Sequence, residues 1–295
     1  MAGPDERTVR TAIELAVRAP SVHNSQPWRW RTGGGALELH AGRDRQVPET
    51  DPDGAELLLA CGVALHHLRI GFAVQGWRTR VHRLPDALEP GHLATVELYR
   101  GEPGADEVAL AAAIPRRRSD RRRYEPRRPP ESHLSLIADR AEATGAVVRA
   151  VADRRARPQL VRALAECARY QLLGPAVLLE LAGGHWPPCV PDHDHESVLL
   201  TIGTAADDRL ARLRAGEALS EILLAATGLG LASCALTDPL GIADVRQVLS
   251  KELLDGAHAQ VVCRLGWARL NAEPLPATTR RPLDEVVQNL TAVAV

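Results

Sequence analysis

Lysine is almost missing from this chain: Lys251 is the single one among 36 basic residues. Arginine supplies the rest, and together with the abundant alanine it looks like the codon bias of a GC-rich genome. Arginine number therefore says little about phosphate binding, and only its clustering is informative. Phenylalanine is equally scarce, one residue against five tryptophans. The five cysteines, Cys61, Cys167, Cys189, Cys234 and Cys263, contain no C-x-x-C pair, and most lie in apolar surroundings. They read as buried reduced thiols, not as a disulfide or zinc framework. The N-terminus carries Asp5 and Glu6 and lacks the apolar segment of a secretory signal. No apolar run reaches the roughly 18 residues of a membrane span. A cytoplasmic protein without a membrane partner is expected. Gly33-Gly34-Gly35 has no P-loop lysine and no following helix, so it reads as a hairpin turn. No G-x-G-x-x-G unit occurs either, so any nicotinamide cofactor must bind without a Rossmann fold. A net charge of −1 provides no general field for nucleic acid.

What is present is a chain of 295 residues, 45% hydrophobic and 25% charged. That is enough for a sizeable core without disulfides or a structural metal. Val9, Ala12, Ile13, Ala16 and Val17 recur at helical spacing, and Pro20 closes that helix. A polar loop, Ser21 to Trp28, leads into a strand–turn–strand pattern over 30–40. Residues 55–72 form a long apolar helix. Strands are expected over 78–84 and 94–99, and a linker over 101–106. A basic run, Arg116 to Arg123, follows. Helices are expected at 131–143 and 157–170 and a strand at 177–181. Residues 183–197 form a loop rich in proline and histidine. Helix resumes from about 205 and is most apolar at 215–227. Residues 232–235 and 260–265 read as strands, and the tail 274–282 as extended.

The chain also repeats itself. Gly62-x-Ala64-Leu65-x-x-Leu68 matches Gly216-x-Ala218-Leu219-x-x-Ile222, and Gly76-Trp77 matches Gly230-Leu231, all at one offset of 154 positions. Asp53 and Asp207, and Leu59 and Leu213, fall at the same offset. A gapless offset with shared glycines favours duplication over chance similarity of two Ala/Leu-rich helices. Two related α+β halves are expected, each with a central helix too apolar to face water.

Three segments carry chemistry. Ala19-Pro20-Ser21-Val22-His23-Asn24-Ser25-Gln26-Pro27-Trp28 gathers a hydroxyl, an imidazole and two carboxamides. Carboxamides donate and accept at once, which suits the edge of a flavin pyrimidine, although an ordinary polar turn would look similar. Arg116 to Tyr124 clusters guanidinium groups around Ser119, a good match for phosphate oxygens or equally for a solvated basic stretch. A nucleic-acid footprint is disfavoured because aromatic platforms are lacking nearby. Thr278-Thr279-Arg280-Arg281-Pro282-Leu283 could close a phosphate site. His185, Cys189, His193 and His195 are possible zinc ligands, but their spacing fits no zinc motif and prolines interrupt them, so a surface loop and no metal site are expected. His66-His67 reads as structural.

In combination, the A-P-S-x-x-N-x-Q-P-W loop, the R-R-S-x-R cluster, the helix ending Thr227-Gly228-Leu229-Gly230-Leu231 and the terminal R-R-P-L-D-E-V resemble the FMN-dependent nitroreductase family. Asp51-Pro52-Asp53-Gly54, the stretch Cys61 to Leu68 and Arg214 to Leu219 resemble its Acg-like subfamily. The resemblance runs from about Thr11 to Val287. It implies an α+β, three-layer sandwich in which one internally duplicated chain is similar to a nitroreductase dimer. Its halves would be 1–105, with the ring-binding loop, and 106–295, with the phosphate cluster and a lid loop. The expected assembly is a pseudo-dimeric monomer or a homodimer.

The resemblance further implies that Arg117, Ser119 and Arg121 hold an FMN phosphate, with Arg118 alongside and Arg280 or, preferentially, Arg281 approaching it. Pro20, Ser21, His23, Asn24 and Gln26 would contact the ring or ribityl chain. Leu236 and Thr237 would offer backbone amides near flavin N5, where a donor stabilises developing charge. No side-chain catalytic residue is expected, because the cofactor carries the hydride. Positions 173–182, which lie 154 beyond the ring loop, lack its Ser/Asn/Gln pattern, and no R-R-S-x-R precedes the first half. One FMN per chain is therefore expected. The implied activity is hydride transfer from NAD(P)H through FMN to a nitro compound, quinone or related small molecule. The alternative is a non-catalytic protein that stores FMN under a lid.

Overall fold

The computed structural model describes residues 3–33, 36–48, 50–151, 156–163 and 196–289. The strand expected at 177–181, the second half of the helix expected at 157–170, nearly all of the 183–197 loop, Cys167 and Cys189 lie outside the described residues. In chain order the elements are α1 (Glu6–Ala16), β1 (Trp28–Gly33), β2 (Ala36–Ala41), α2 (Ala55–Ala73), β3 (Trp77–Arg83), β4 (His92–Arg100) and α3 (Ala105–Ala113). Then come α4 (Glu131–Glu142), β5 (Val147–Ala150), β6 (Val198–Thr204), α5 (Arg209–Gly228), β7 (Ala232–Leu236), α6 (Ala243–Glu252), β8 (His258–Gly266), α7 (Leu283–Val286) and β9 (Val287–Gln288). Two compact units result. Unit 1 is Met1–Arg116, Asp208–Ser220 and Thr278–Val295; unit 2 is Arg117–Asp207 and Glu221–Ala277.

Unit 1 begins with α1, whose first turn is capped by Asp5 accepting from the Thr8 amide at 2.8 Å. Val9, Ala12, Ile13 and Ala16 form its buried stripe. A five-stranded sheet has the order β3-β4-β2-β1-β9. The first four strands pair antiparallel, and β9 joins β1 in parallel opposite Trp30 and Arg31. Leu37 and Leu39 on β2 are fully buried, while Glu38 and His40 between them are partly open, the alternation of a half-covered sheet. Neither β9 nor α3 was expected. A two-residue strand has no alternation to read, and the alanine-rich α3 has a weak polar–apolar contrast. Glu107 holds the start of α3 by accepting from the Gly104 amide at 2.7 Å.

Helix α2 is buried along almost its whole length, so it shows no amphipathic stripe. By length and mean hydropathy alone α2 would pass for a membrane span, but Glu56, His66, His67 and Arg69 interrupt its apolar run and most of it is packed inside protein. Its N-terminus is satisfied by Asp51, whose two carboxylate oxygens accept from the Glu56 and Leu57 amides at 3.0 and 2.9 Å. Gly54 takes the left-handed conformation that lets the chain turn into the helix. The Asp-Pro-Asp-Gly signature is thus a capping device, and Asp53 adds an ion pair to Arg212 at 2.8 Å.

Within unit 1, α2 meets the first part of α5 backbone to backbone. A Cβ on Gly62 would lie 2.0 Å from the Leu213 carbonyl oxygen, and one on Gly216 would lie 2.1 Å from that of Leu59. Each glycine faces the other and the residue three positions before it. The two sides of the crossing are therefore related by the same 154-residue shift as the sequence repeat. His66 Nδ1 and Ser220 Oγ, at 2.8 Å and the same separation, lie one turn further on.

Unit 2 holds a four-stranded antiparallel sheet of order β5-β6-β8-β7. Every residue of β6 is buried. A continuous apolar run of this kind shows no alternation, and neither β5 nor β6 was expected. Leu199, Val262, Leu254 and Leu249 form the centre of this unit's core. Cys234 and Cys263 are buried free thiols, as is Cys61 in unit 1. Burial pushes the Cys61 and Cys263 thiols far above the ordinary cysteine range.

Candidate functional site

In unit 1 the loop after α1 contains three non-glycine residues with left-handed backbone within four positions: His23, Asn24 and Gln26. Such conformations are costly and persist only when surrounding contacts determine them. Those contacts are present. Ser21 Oγ accepts from the Gln26 amide at 2.9 Å. The Asn24 carboxamide donates to the Thr279 carbonyl at 3.1 Å and accepts from Arg280 Nη1 at 3.1 Å. The buried Gln26 carboxamide oxygen accepts from the Arg281 amide at 2.9 Å. Loop and C-terminal segment, far apart in sequence, are one structure here.

The two arginines of that segment differ. Arg280 directs its guanidinium at backbone: Nη2 donates to the Arg18 and Ala19 carbonyls, both at 3.2 Å, and Nη1 to Thr279 at 3.1 Å, with Thr278 Oγ1 also in contact. It clamps the loop. Arg281 uses Nε and Nη2 on Glu285, at 3.1 Å to the carboxylate and 3.0 Å to the carbonyl. Its Nη1 is buried and meets no acceptor among the described residues. A buried guanidinium donor without an acceptor is costly and fits an anionic group. Pro20 and His23 line the same loop, half-exposed.

In unit 2 the basic run is ordered by its one acidic residue. Asp120 is buried and binds Arg122 in a fork, Nε to Oδ1 at 3.0 Å and Nη2 to Oδ2 at 2.8 Å. Hydrogen bonding to Asp120, opposed by burial, holds the Arg122 pKa above its ordinary value. The Asp120 amide donates to the Ser233 carbonyl at 2.9 Å, and Ser119 bridges Ser233, so the run is pinned beside β7. Tyr124 donates to the Asp120 carbonyl at 2.8 Å. The fully buried Arg264 lies 3.7 Å over the Tyr124 ring and donates to the Arg122 carbonyl.

On that scaffold Arg117 is buried, with Nη1 donating to Ser119 Oγ at 3.3 Å. Arg118 folds back onto the Arg117 carbonyl at 2.8 Å, and Arg121 is exposed. Leu236 is the last residue of β7, and Thr237 leads into a 3₁₀ turn through a bond from the Leu240 amide at 2.9 Å. Unit 2 thus brings Arg117, Arg118 and Ser119 together. Unit 1 brings Ser21, Asn24 and Gln26 to Arg280 and Arg281. The residues missed from sequence are the organisers: Asp120, Tyr124, Arg264 and Ser233. A lone aspartate inside a run of six arginines was the available signal for the first.

No protein-family model matches the chain. A Mycobacterium tuberculosis protein named "Putative NAD(P)H nitroreductase Rv3131" is 43% identical, over 97% of this chain and 92% of its own length. Another from the same organism, "Putative NAD(P)H nitroreductase acg", is 34% identical, over 94% of each. The crystallised "putative nitroreductase from anabaena variabilis" matches with a TM-score of 0.55 and 10% identity, over 85% of this chain and 82% of that one, which speaks for the fold alone. The architecture is α+β of the nitroreductase type. The chain belongs to the nitroreductase family, in its Acg-like subfamily.

Proposed function

We propose that this protein is an FMN-dependent oxidoreductase that takes hydride from NAD(P)H and passes it to a nitro compound, a quinone or a related small acceptor, in the cytoplasm. The observation that carries the reading is the unit 1 loop and its C-terminal partner. A strained polar loop is held by its C-terminal partner, and beside it Arg281 Nη1 is buried without an acceptor among the described residues. Full-length kinship with proteins named NAD(P)H nitroreductases supplies the reaction class. When bound, FMN supplies the redox chemistry that no side chain here provides.

The chain's own residues bind and orient. Arg117 and Ser119, already paired, present a guanidinium and a hydroxyl suited to phosphate oxygens, and Arg121 adds charge. Arg118 braces Arg117, while Arg281 offers its remaining donor to the same kind of group. Arg280 is a positioning residue, since both its terminal nitrogens donate to backbone carbonyls. Ser21, His23 and Asn24, with Pro20, face the ring or ribityl chain. Gln26 braces the loop from inside. Leu236 and Thr237 offer backbone amides at the end of β7.

The reciprocal Gly62–Gly216 crossing supports internal duplication, with halves 1–105 and 106–295 descended from one ancestor. The ring loop survives in the first and the phosphate cluster in the second, so one FMN binds per chain. Anaerobic titration with NADPH tests the reading. Bleaching of one equivalent of FMN per chain, reversed by a quinone, is the expected result. Two flavins per chain would refute the stoichiometry. A tightly held flavin that neither NADPH nor NADH bleaches would replace catalysis by storage.

A further inference from the structure

The outer face of the unit 1 sheet carries a second cluster, unrelated to the flavin residues. Strands β2 and β4 pair regularly from Leu37↔Val96 to Leu39↔Ala94, and then the register shifts by one. Continued pairing would set His40 opposite Leu93, whose side chain is fully buried. The bulge instead sets His40 opposite His92. The imidazole rings lie nearly parallel, with centroids 4.6 Å apart and planes inclined by 16°. Glu38, two residues before His40 and therefore on the same face, brings its carboxylate to 2.9 Å from His40 Nε2. One ligand atom from each of the three residues lies within 4.8 Å of the others.

We propose that Glu38, His40 and His92 bind one divalent transition-metal ion of the zinc class, with solvent completing the coordination. Two imidazoles and a carboxylate form a borderline-hard donor set suited to zinc, with a tetrahedral position left open. Zinc–ligand bonds of about 2.1 Å in a tetrahedron place two ligand atoms about 3.4 Å apart, so small side-chain rotations close the site. The ligands stand on paired strands, which fixes their backbones. Thr95 Oγ1 lies 2.9 Å from His92 Nε2 and orients that ring, the hydrogen-bonded support that metal-binding histidines ordinarily have. Arg31, 3.8 Å from Glu38, competes weakly from the exposed side. The ion would fasten β2 to β4 across the bulge, where the ladder of backbone hydrogen bonds is interrupted.

The test uses untagged full-length protein washed with chelator and titrated with Zn²⁺ alone. Calorimetry and elemental analysis after gel filtration should give one equivalent, and zinc should raise the melting temperature of the wild type. His40→Ala and His92→Ala should each weaken binding by at least about 100-fold, since losing a mere supporting partner already costs 10–100-fold. Thr95→Val keeps all three ligands and should weaken binding by about 10-fold. It also serves if a histidine variant fails to match the wild-type melting temperature in chelator. Wild type that takes up no zinc overturns the proposal. So does one equivalent retained by both histidine variants, which would place the ion elsewhere, the His/Cys-containing loop 183–197 included.

Discussion

Two junctions in unit 1 join segments distant in sequence, and they do so in opposite ways. Where α2 meets α5 at Gly62 and Gly216, backbones touch and there is no room for a single methyl group. Beside that crossing, Glu217, almost fully buried, takes Arg83 at 2.6 and 2.8 Å and Arg69 at 3.0 Å. Where the 20–26 loop meets the 278–281 segment, contacts are polar, the backbone is strained, and Arg281 Nη1 is buried without an acceptor among the described residues. The helix crossing is architecture, since its buried carboxylate is held by two arginines and its backbones leave no room. The loop junction, with a buried arginine donor to spare, is the one proposed to hold a ligand. The contrast separates arginines that composition cannot separate.

Glu217 should show the largest effect. Burial raises its pKa, but the hydrogen bond and charge of Arg83, followed by Arg69 and His66, outweigh burial and hold the carboxyl below the usual range. Glu217→Gln leaves Arg83 without its partner and should lower stability by about 4 kcal/mol in urea unfolding. The sign with pH follows from the lowered folded value. The stabilisation is complete above the unfolded pKa of about 4.3 and disappears as pH falls through the folded one. Unfolding curves from pH 7 to pH 3 should show this loss in wild type and a smaller one in Glu217→Gln.

Gly62→Ala and Gly216→Ala should come next, each costing about 3 kcal/mol, because backbone rather than a movable side chain meets the new methyl. Equal losses sharpen the reading of a duplicated crossing. If one variant were neutral, the reciprocity would have no energetic content.

The loop junction should respond in binding. Arg280→Ala removes a clamp from several carbonyls and should cost about 2 kcal/mol of stability along with weakened FMN retention. Arg281→Ala should leave the melting temperature nearly unchanged, since its Glu285 partner is exposed. It should weaken FMN about 10-fold, measured by fluorescence on flavin release. If Arg280→Ala changed only binding and Arg281→Ala only stability, the two roles would have to be exchanged.

Much of this was legible in the sequence because it is local. The α1 stripe, the β1–β2 hairpin, the long α2 helix and the β8 strand all follow from periodicity and turn residues. β5, β6 and β9 were not legible. Two of them are too short for a pattern, and β6, buried on both faces, has no alternation. Candidate site residues were found through clustered residue types, but their individual duties were not. Arg280 and Arg281 are adjacent and chemically alike, and only the acceptors around each distinguish clamp from free donor. Likewise Asp120 reads as an interruption of a basic run until it is seen holding Arg122 and the Ser233 strand.

The sequence by itself determined the family, the order of most elements and the 154-residue repeat. These rest on residue type and spacing, which need no knowledge of distant neighbours. Only the tertiary structure decided what the repeat is for and which polar groups remain available. Gly62 and Gly216 matter because two backbones approach there, and Arg281 matters because its neighbours among the described residues leave one donor unsatisfied. Likewise Glu38, His40 and His92 meet only because a bulge shifts one strand register. Close approach, unsatisfied hydrogen-bonding capacity and register are all properties of pairs of segments, and a linear chain does not state which segments will meet.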